Sequence, residues 1–263
     1  MKTPALFVGH GSPMNALDKN APINQGFADI VQKFAKPTAI LCISAHWYEP
    51  SLQIQSGENP PLIYDFYGFP DELYQVEYPA KGSPSLAKRV GELLVDSDKP
   101  LIFNDNRGYD HGAWAVLKHL YPDADIPVVQ LSIDSSQPAE WHWALAQKLR
   151  PLRDEGVLIL GSGDIVHNLR LASFAHIGTQ GAGYDWAFEF ANAINGAIEN
   201  QDKNTLVNFE QLGEPARLSV PTPEHYFPLL YVLAQRDEYD PVLLFNDWLV
   251  AGSLSMTSVL VGA

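Results

Sequence analysis

The sequence predicts an α/β fold: one domain with a mainly parallel central sheet and helices on both faces. Three observations predict it. Apolar runs of strand length alternate with stretches of helical periodicity from one end of the chain to the other. The run from Thr38 to Ser44 is apolar throughout its interior, as an inner strand should be. No linker, internal repeat or low-complexity segment divides the 263 residues, so a single domain over 1–263 is expected.

The elements follow in order. Ala5 to Val8 reads as the first strand. Pro22 to Ala35 reads as a helix, because Ile23, Phe27, Ile30, Val31 and Phe34 recur at spacings of three and four. Thr38 to Ser44 is the second strand, and Ser51 to Gln55, which alternates, reads as an exposed strand beside it. Asn59 to Pro79 is rich in proline, glycine and aromatics and reads as a packed loop with a short helical turn. Pro84 to Val95 is a helix, with Pro84 in the first turn where its missing N–H is tolerated. Leu101 to Phe103 is a short strand. His111 to Tyr121 (helix), Ile126 to Ile133 (strand), Pro138 to Asp154 (helix) and Val157 to Gly161 (strand) repeat the alternation. Tyr184 to Glu199 and Thr205 to Leu212 read as helices. So does Pro223 to Gln235, where Glu224 suits the positive end of the helix dipole. Pro241 to Phe245 and Leu254 to Val261 close the chain as strands. Helical crossovers between successive strands make those strands parallel.

Composition narrows the function classes. Hydrophobic residues at 46% against 18% charged describe a globular chain and exclude wholesale disorder. No apolar run reaches the roughly 18 residues a membrane span needs, and the N-terminus lacks the pattern of a signal peptide, so a cytoplasmic protein is expected. A formal net charge of −14 argues against nucleic acid or an anionic membrane as partner. The single cysteine, Cys42, excludes an intrachain disulfide and lies in an apolar run, where it reads as a buried small hydrophobe.

The chemistry lies in the histidines. His10 follows Leu6-Phe7-Val8-Gly9, His46 follows the second strand, and His167 follows Leu158 to Gly161 by a short connection. Parallel strands present their carboxyl ends on one edge, where open α/β proteins bind ligands, so histidines remote in sequence are expected to meet there. Gly9, Gly11, Gly161 and Gly163 beside them fit tight turns where backbone approaches a ligand closely. His225 lies at a helix start in Pro221-Thr222-Pro223-Glu224-His225-Tyr226, and His111 in Tyr109-Asp110-His111-Gly112. Three neutral imidazoles on one divalent metal leave positions open for substrate or water. His119, His142 and His176 carry no such context and read as surface or packing residues. Other motifs fail: Gly161-Ser162-Gly163-Asp164 lacks the third glycine of a dinucleotide fingerprint, and Gly9-His10-Gly11-Ser12 is not a nucleophile elbow. On these residues alone, a redox metalloenzyme, a zinc hydrolase and a non-catalytic metal-binding protein all stand.

Taken together, Gly9-His10-Gly11-Ser12-Pro13-Met14, Ser44-Ala45-His46-Trp47, Asp110-His111-Gly112, Gln130-Leu131-Ser132-Ile133-Asp134, His167-Asn168-Leu169 and Pro221 to Tyr226 resemble the 4,5-DOPA extradiol dioxygenase family, among the LigB-type class III ring-cleavage enzymes. The resemblance runs on to Gly252-Ser253-Leu254-Ser255-Met256 and so covers nearly the whole chain. It implies a single LigB-like catalytic domain that opens a catechol ring with O2. It also implies one metal on His10, His46 and His225, with His167 either a further ligand or an acid/base residue. His111 would contact substrate or oxygen. More distant LigB-type enzymes complete a two-histidine, one-carboxylate set with glutamate. Here Glu224 and His225 are adjacent, and consecutive helical residues point about 100° apart, so only one of them is expected to ligate and His225 is assigned. Fe(II) is expected for ring cleavage because zinc has no redox chemistry, while Zn(II) also suits an all-histidine set as the bound ion. Trp47, Tyr48, Phe69 and Tyr226 flank the histidines and either line an aromatic pocket, with Trp47 and Tyr226 as the substrate-binding candidates, or serve ordinary packing.

Overall fold

The computed structural model describes residues 2–176 and 179–263. Its strands are β1 (Ala5–Gly9), β2 (Ala39–Glu49), β3 (Gln53–Gln55), β4 (Ile102–Asn104), β5 (Val128–Asp134), β6 (Val157–Gly163), β7 (Val242–Phe245), β8 (Leu249–Val250), β9 (Leu254–Ser255) and β10 (Ser258–Val261). Eight of them form one sheet in the order β4-β3-β5-β2-β6-β1-β10-β7, while β8 and β9 pair separately. The central strands β5, β2, β6 and β1 are all parallel. Antiparallel pairings carry the sheet outward, β3 against β5 on one side and β10 against β1 on the other. The mainly parallel α/β sheet predicted from the alternation is therefore present.

The helices are α1 (Pro22–Ile30), α2 (Pro84–Leu93), α3 (His111–Leu120), α4 (Ala139–Gln147), α5 (Pro151–Asp154), α6 (Asp185–Glu199), α7 (Lys203–Val207), α8 (Glu214–Ser219) and α9 (Phe227–Leu233). Strand side chains alternate between two apolar layers, because successive residues of a pleated strand point to opposite faces. Phe7, Leu41, Ile43, Leu131 and Ile159 pack under α2, α4, α6 and α9. Leu6, Val8, Ile40, Cys42 and Leu160 pack under α1 and α3. Cys42 is fully buried, and burial pushes its thiol pKa up, so it is the small hydrophobe its context predicts.

Several boundaries move, each for a local reason. The predicted helix from Pro138 to Asp154 breaks into α4 and α5 at Pro151, which has no N–H to continue the ladder. Pro228 likewise separates a short 3-10 turn, Pro223–His225, from α9. The strand predicted at Ser51 to Gln55 shrinks to β3, which lies beside β5 rather than β2 and is buried at Ile54 and Gln55. The second strand runs five residues beyond Ser44, through His46 to Glu49. The final predicted strand divides into β9 and β10, and α8 had no clear apolar signature. Among the described residues no helix is long and apolar enough to cross a membrane.

Candidate metal centre

His10 leaves the end of β1, its backbone N–H donating to Gly163 O at 3.1 Å. His46 projects from an irregular stretch of β2: the advance from Ile43 to Tyr48 is matched by only Leu131 to Ile133 on β5, and such extra residues re-aim side chains. His225 closes the 3-10 turn before α9, with its carbonyl accepting from Asp164 N at 2.9 Å. Gly163 permits this approach, since a Cβ there would run into the His225 carbonyl oxygen. Gly11 serves the turn after β1 with a φ of 63°. The sequence thus brings three remote histidines to one rim of the sheet, with ligand atoms all within 4.8 Å of one another.

Hydrogen bonds fix which nitrogen each ring offers. Ser162 Oγ donates to Gly112 O at 2.5 Å, so the same oxygen accepts from His10 Nδ1 at 3.1 Å. His46 Nδ1 lies 3.1 Å from Asp65 Oδ2, and His225 Nδ1 lies 3.2 Å from Glu224 Oε1. Thr222 Oγ1 donates to that same Glu224 oxygen at 2.8 Å. All three rings therefore carry their proton on Nδ1 and turn an Nε2 lone pair inward. Glu224 stands behind His225 as its partner, which fits the argument from adjacent residues.

The inward nitrogens need a positive charge. His46 Nε2 and His10 Nε2 are 3.3 Å apart, and two lone pairs at that distance repel unless a proton or cation lies between them. Burial, then the neighbouring imidazoles, holds His10 and His225 well below the usual histidine pKa, which disfavours the proton. At His46 burial acts the same way, but the Asp65 hydrogen bond and the charges of Asp110, Asp65 and Glu224 outweigh it and raise the pKa. Two imidazoles bound at about 2.0–2.1 Å with near-tetrahedral angles have nitrogens about 3.3 Å apart. The donor set fits one divalent metal ion.

The remaining predicted residues sort by geometry. His111 opens α3, whose N-terminus is capped by Asp110, the side chain accepting from Ala113 N at 3.1 Å. Asp110 also accepts from Ser44 Oγ (2.6 Å) and Gln130 Nε2 (2.8 Å), which ties α3 to β2 and β5. The His111 ring centroid is 4.0 Å from that of His46. His167 is held by its backbone N–H to Ser219 O at 2.8 Å, and its ring lies parallel to that of His225. Burial lowers its pKa to about 4. Its ring groups with Asp164 and His225, and not with the His10, His46 and His225 set.

Trp47 and Tyr226 are not at the substrate position expected for them. Trp47 follows His46 in extended strand, is 2% exposed, and lies under Arg107, whose guanidinium carbon is 4.7 Å from the ring centroid. Tyr226 is fully buried, donates its hydroxyl to Leu206 O at 3.1 Å and packs on Phe209. Neither lines the cavity in front of the histidines. Phe69 does, together with Phe66, whose ring meets His111 edge-on at 5.5 Å. That cavity measures about 500 Å³. His142 is a packing residue, buried between Tyr231 and Asp134; His119 donates its Nε2–H to Asn15 O at 2.9 Å, and His176 is exposed.

Two acids escaped the sequence reading. Asp65 spans His46 and His111: its Oδ1 accepts from His111 N at 2.9 Å and lies 3.0 Å from His111 Nδ1, off the line of a hydrogen bond. Burial opposes its charge, but the two histidines outweigh burial and hold its pKa below the usual carboxylate range. The available signal was a lone acid between Tyr64 and Phe66 in an aromatic loop. Asp164 is buried beside His10 (3.8 Å to Nε2), and burial pushes its carboxyl pKa well up.

Residues 4–212 match the family model described as the catalytic LigB subunit of aromatic ring-opening dioxygenase. The chain belongs to this family. LigB membership makes it an aromatic ring-opening oxidoreductase, and the resemblance stated from the histidine motifs holds. The LigB-type chain is 44% identical to a 4,5-DOPA dioxygenase extradiol of Escherichia coli (strain K12), over 99% of this chain and 95% of that one. It is 38% identical to a protein of the same name from Beta vulgaris, over 92% and 91% of the two chains. The crystal structure of an uncharacterized protein from Escherichia coli K12 superposes with a TM-score of 0.85 at 41% identity, over 99% of this chain and 100% of that one.

Proposed function

We propose that this chain is an extradiol dioxygenase that opens the ring of a catechol, a DOPA-like aromatic diol, with O2. The observation that carries the reading is the inward turn of three Nε2 lone pairs, each backed by a hydrogen-bonded Nδ1. His10, His46 and His225 would hold the metal. Fe(II) bound there supplies the redox chemistry that O2 requires, and Zn(II) fits the same donors without it.

The protein's own groups account for the rest. His167 is neutral at working pH, because burial lowers its pKa to about 4, so it can accept a proton from a catechol hydroxyl and return it later. His111, 8% exposed at its side chain and beside His46, is placed to hydrogen-bond the oxygen that develops charge as the ring opens. Phe66 and Phe69 shield the ring from water. The carbon–carbon bond beside the diol breaks, and both atoms of O2 end in the product, one end as a carboxylate and the other as an aldehyde. No external reductant is needed.

Oxygen uptake by the Fe(II)-loaded protein with a panel of catechols that includes L-DOPA tests this reading. The expected result is stoichiometric uptake with a coloured ring-opened product. Hydrolysis of an ester or amide by the Zn(II) form, with no oxygen uptake by the Fe(II) form, would replace it by a zinc hydrolase.

A further inference from the structure

Asp164 directly follows β6, with its backbone N–H held by the His225 carbonyl at 2.9 Å. Its side chain lines the cavity in front of the histidines and is only 1% exposed. Oδ1 is buried with no hydrogen-bond partner, and Oδ2 stands 3.8 Å from His10 Nε2, beyond hydrogen-bonding reach. The backbone N–H groups of Gly11 and His10 offset the burial of this carboxyl only in part, and that of His10 is already given to Gly163 O. A buried acceptor left empty costs free energy, so one kept empty at a cavity wall is placed for something that enters the cavity.

The other polar groups around the cavity are committed, exposed or of the wrong kind. Asp65 serves His46 Nδ1 and His111 N. The rings of His10, His46 and His225 use Nδ1 as a donor and turn Nε2 to the cation. Ser12 Oγ accepts from Met14 N, and Asn15 Nδ2 donates to His10 O, both on the turn beyond His10. Gln180 is exposed, and the Trp248 indole N–H donates only. That leaves His167 and Asp164, whose ring nitrogen and carboxylate oxygen lie within 4.8 Å of each other. Two acceptors so close can each take one hydroxyl of a vicinal diol.

We infer that Asp164 binds the substrate directly: its carboxyl group accepts a hydrogen bond from the catechol hydroxyl that keeps its proton when His167 takes the other. This rests on the ring-cleavage reading above and adds the group that holds the second hydroxyl. No proton is transferred to Asp164, and its free oxygen accepts whether or not the other one is protonated. Asp164 thereby selects for two neighbouring hydroxyls. A ligand with the same pair of oxygens but no retained proton gains nothing from it and leaves the buried acceptor empty.

The test uses the full chain loaded with Zn(II), which has no redox chemistry to consume the diol, and two probes of similar size. Catechol keeps one O–H after giving up the first proton. 2-Hydroxypyridine N-oxide offers the same pair of oxygens after losing its only hydroxyl proton. Calorimetry gives their affinities for the parent, Asp164→Ala and Asp164→Asn. Asp164→Ala should weaken catechol about 10- to 100-fold and leave the N-oxide within about threefold of the parent. Asp164→Asn, whose amide oxygen still accepts, should recover most of the catechol affinity. Zn(II) affinity, read by competition with a chelator, should stay unchanged in both variants. Equal losses for the two probes overturn the inference and leave ring cleavage standing. So does a fall in Zn(II) affinity beyond about tenfold, which would make Asp164 a ligand. An Asp164→Ala protein that does not fold would make the carboxyl a structural anchor and overturn it as well. The expected discrimination between probes, in a protein whose Fe(II) form takes up no oxygen with any catechol, keeps the contact and removes the proposed reaction instead.

Discussion

His167 lies flat against His225, with ring centroids 3.5 Å apart and planes 7° from parallel. Lone pairs lie in the plane of an imidazole, so two stacked rings cannot both aim at one ion from about 2.1 Å. This geometry favours acid/base work over ligation for His167. His167→Gln should therefore keep the metal while kcat falls about 10²- to 10⁴-fold. Metal content by emission spectroscopy and kcat by oxygen uptake check it. A variant that purifies metal-free, under conditions where the parent binds, would make His167 a ligand.

Asp65 and His46 are linked at 3.1 Å, and this contact keeps the His46 proton on Nδ1. Asp65→Asn removes the charge at nearly constant shape and should weaken metal binding about 10- to 100-fold, as loss of a partner behind a ligand does. His46→Ala removes the proposed ligand itself and should abolish both metal content and turnover. Competition with a chelator orders the three proteins. Equal affinity of Asp65→Asn and the parent would reduce Asp65 to a loop anchor.

The parallel core and the gathering of His10, His46 and His225 were legible because both follow from strand ends, which apolar runs mark well. The true path of β2 was not, since the irregular stretch around His46 depends on how β5 pairs with it. Trp47 and Tyr226 misled for a related reason. Adjacency in sequence says nothing of which way a side chain points, and both turn into the protein beside an inward-facing histidine. Asp65 was invisible because its role comes from a loop folding back onto α3, through Ile63 N to Tyr109 O at 2.7 Å and Trp114 Nε1 to Ile63 O at 3.0 Å. Neither contact has a local sequence signature.

Gly163 and His225 make the tightest demand on the backbone. Gly163→Ala places a methyl where the His225 carbonyl oxygen sits, and His225 is braced there by Asp164 N. The 3-10 turn that carries His225 must shift, so metal affinity should fall by more than tenfold while far-ultraviolet circular dichroism stays close to that of the parent. Unchanged affinity would show that the turn absorbs the methyl without moving the ligand.

His142 allows the pH dependence of stability to be read apart from the metal site. It is fully buried, with Nε2 donating to Asp134 O at 3.2 Å and Nδ1 accepting from Tyr231 Oη at 2.9 Å, which satisfies the neutral ring. Burial, partly offset by the Asp134 carbonyl, lowers its pKa to about 4. The unfolded chain then binds this proton near pH 6.5, whereas the folded chain waits until about pH 4. Its contribution is complete above pH 6.5, is lost as pH falls from 6.5 to 4, and changes no further below that; it amounts to on the order of 3 kcal/mol. Urea unfolding in the presence of a chelator, from pH 7 to pH 4, should show a shallower decline for His142→Gln than for the parent. The variant should also start lower at pH 7 by about 1–2 kcal/mol, because a buried hydrogen-bonded pair is disturbed. Parallel profiles for the two proteins would mean that His142 does not titrate in this window, and that the acid sensitivity belongs to the clustered histidines at the rim of the sheet.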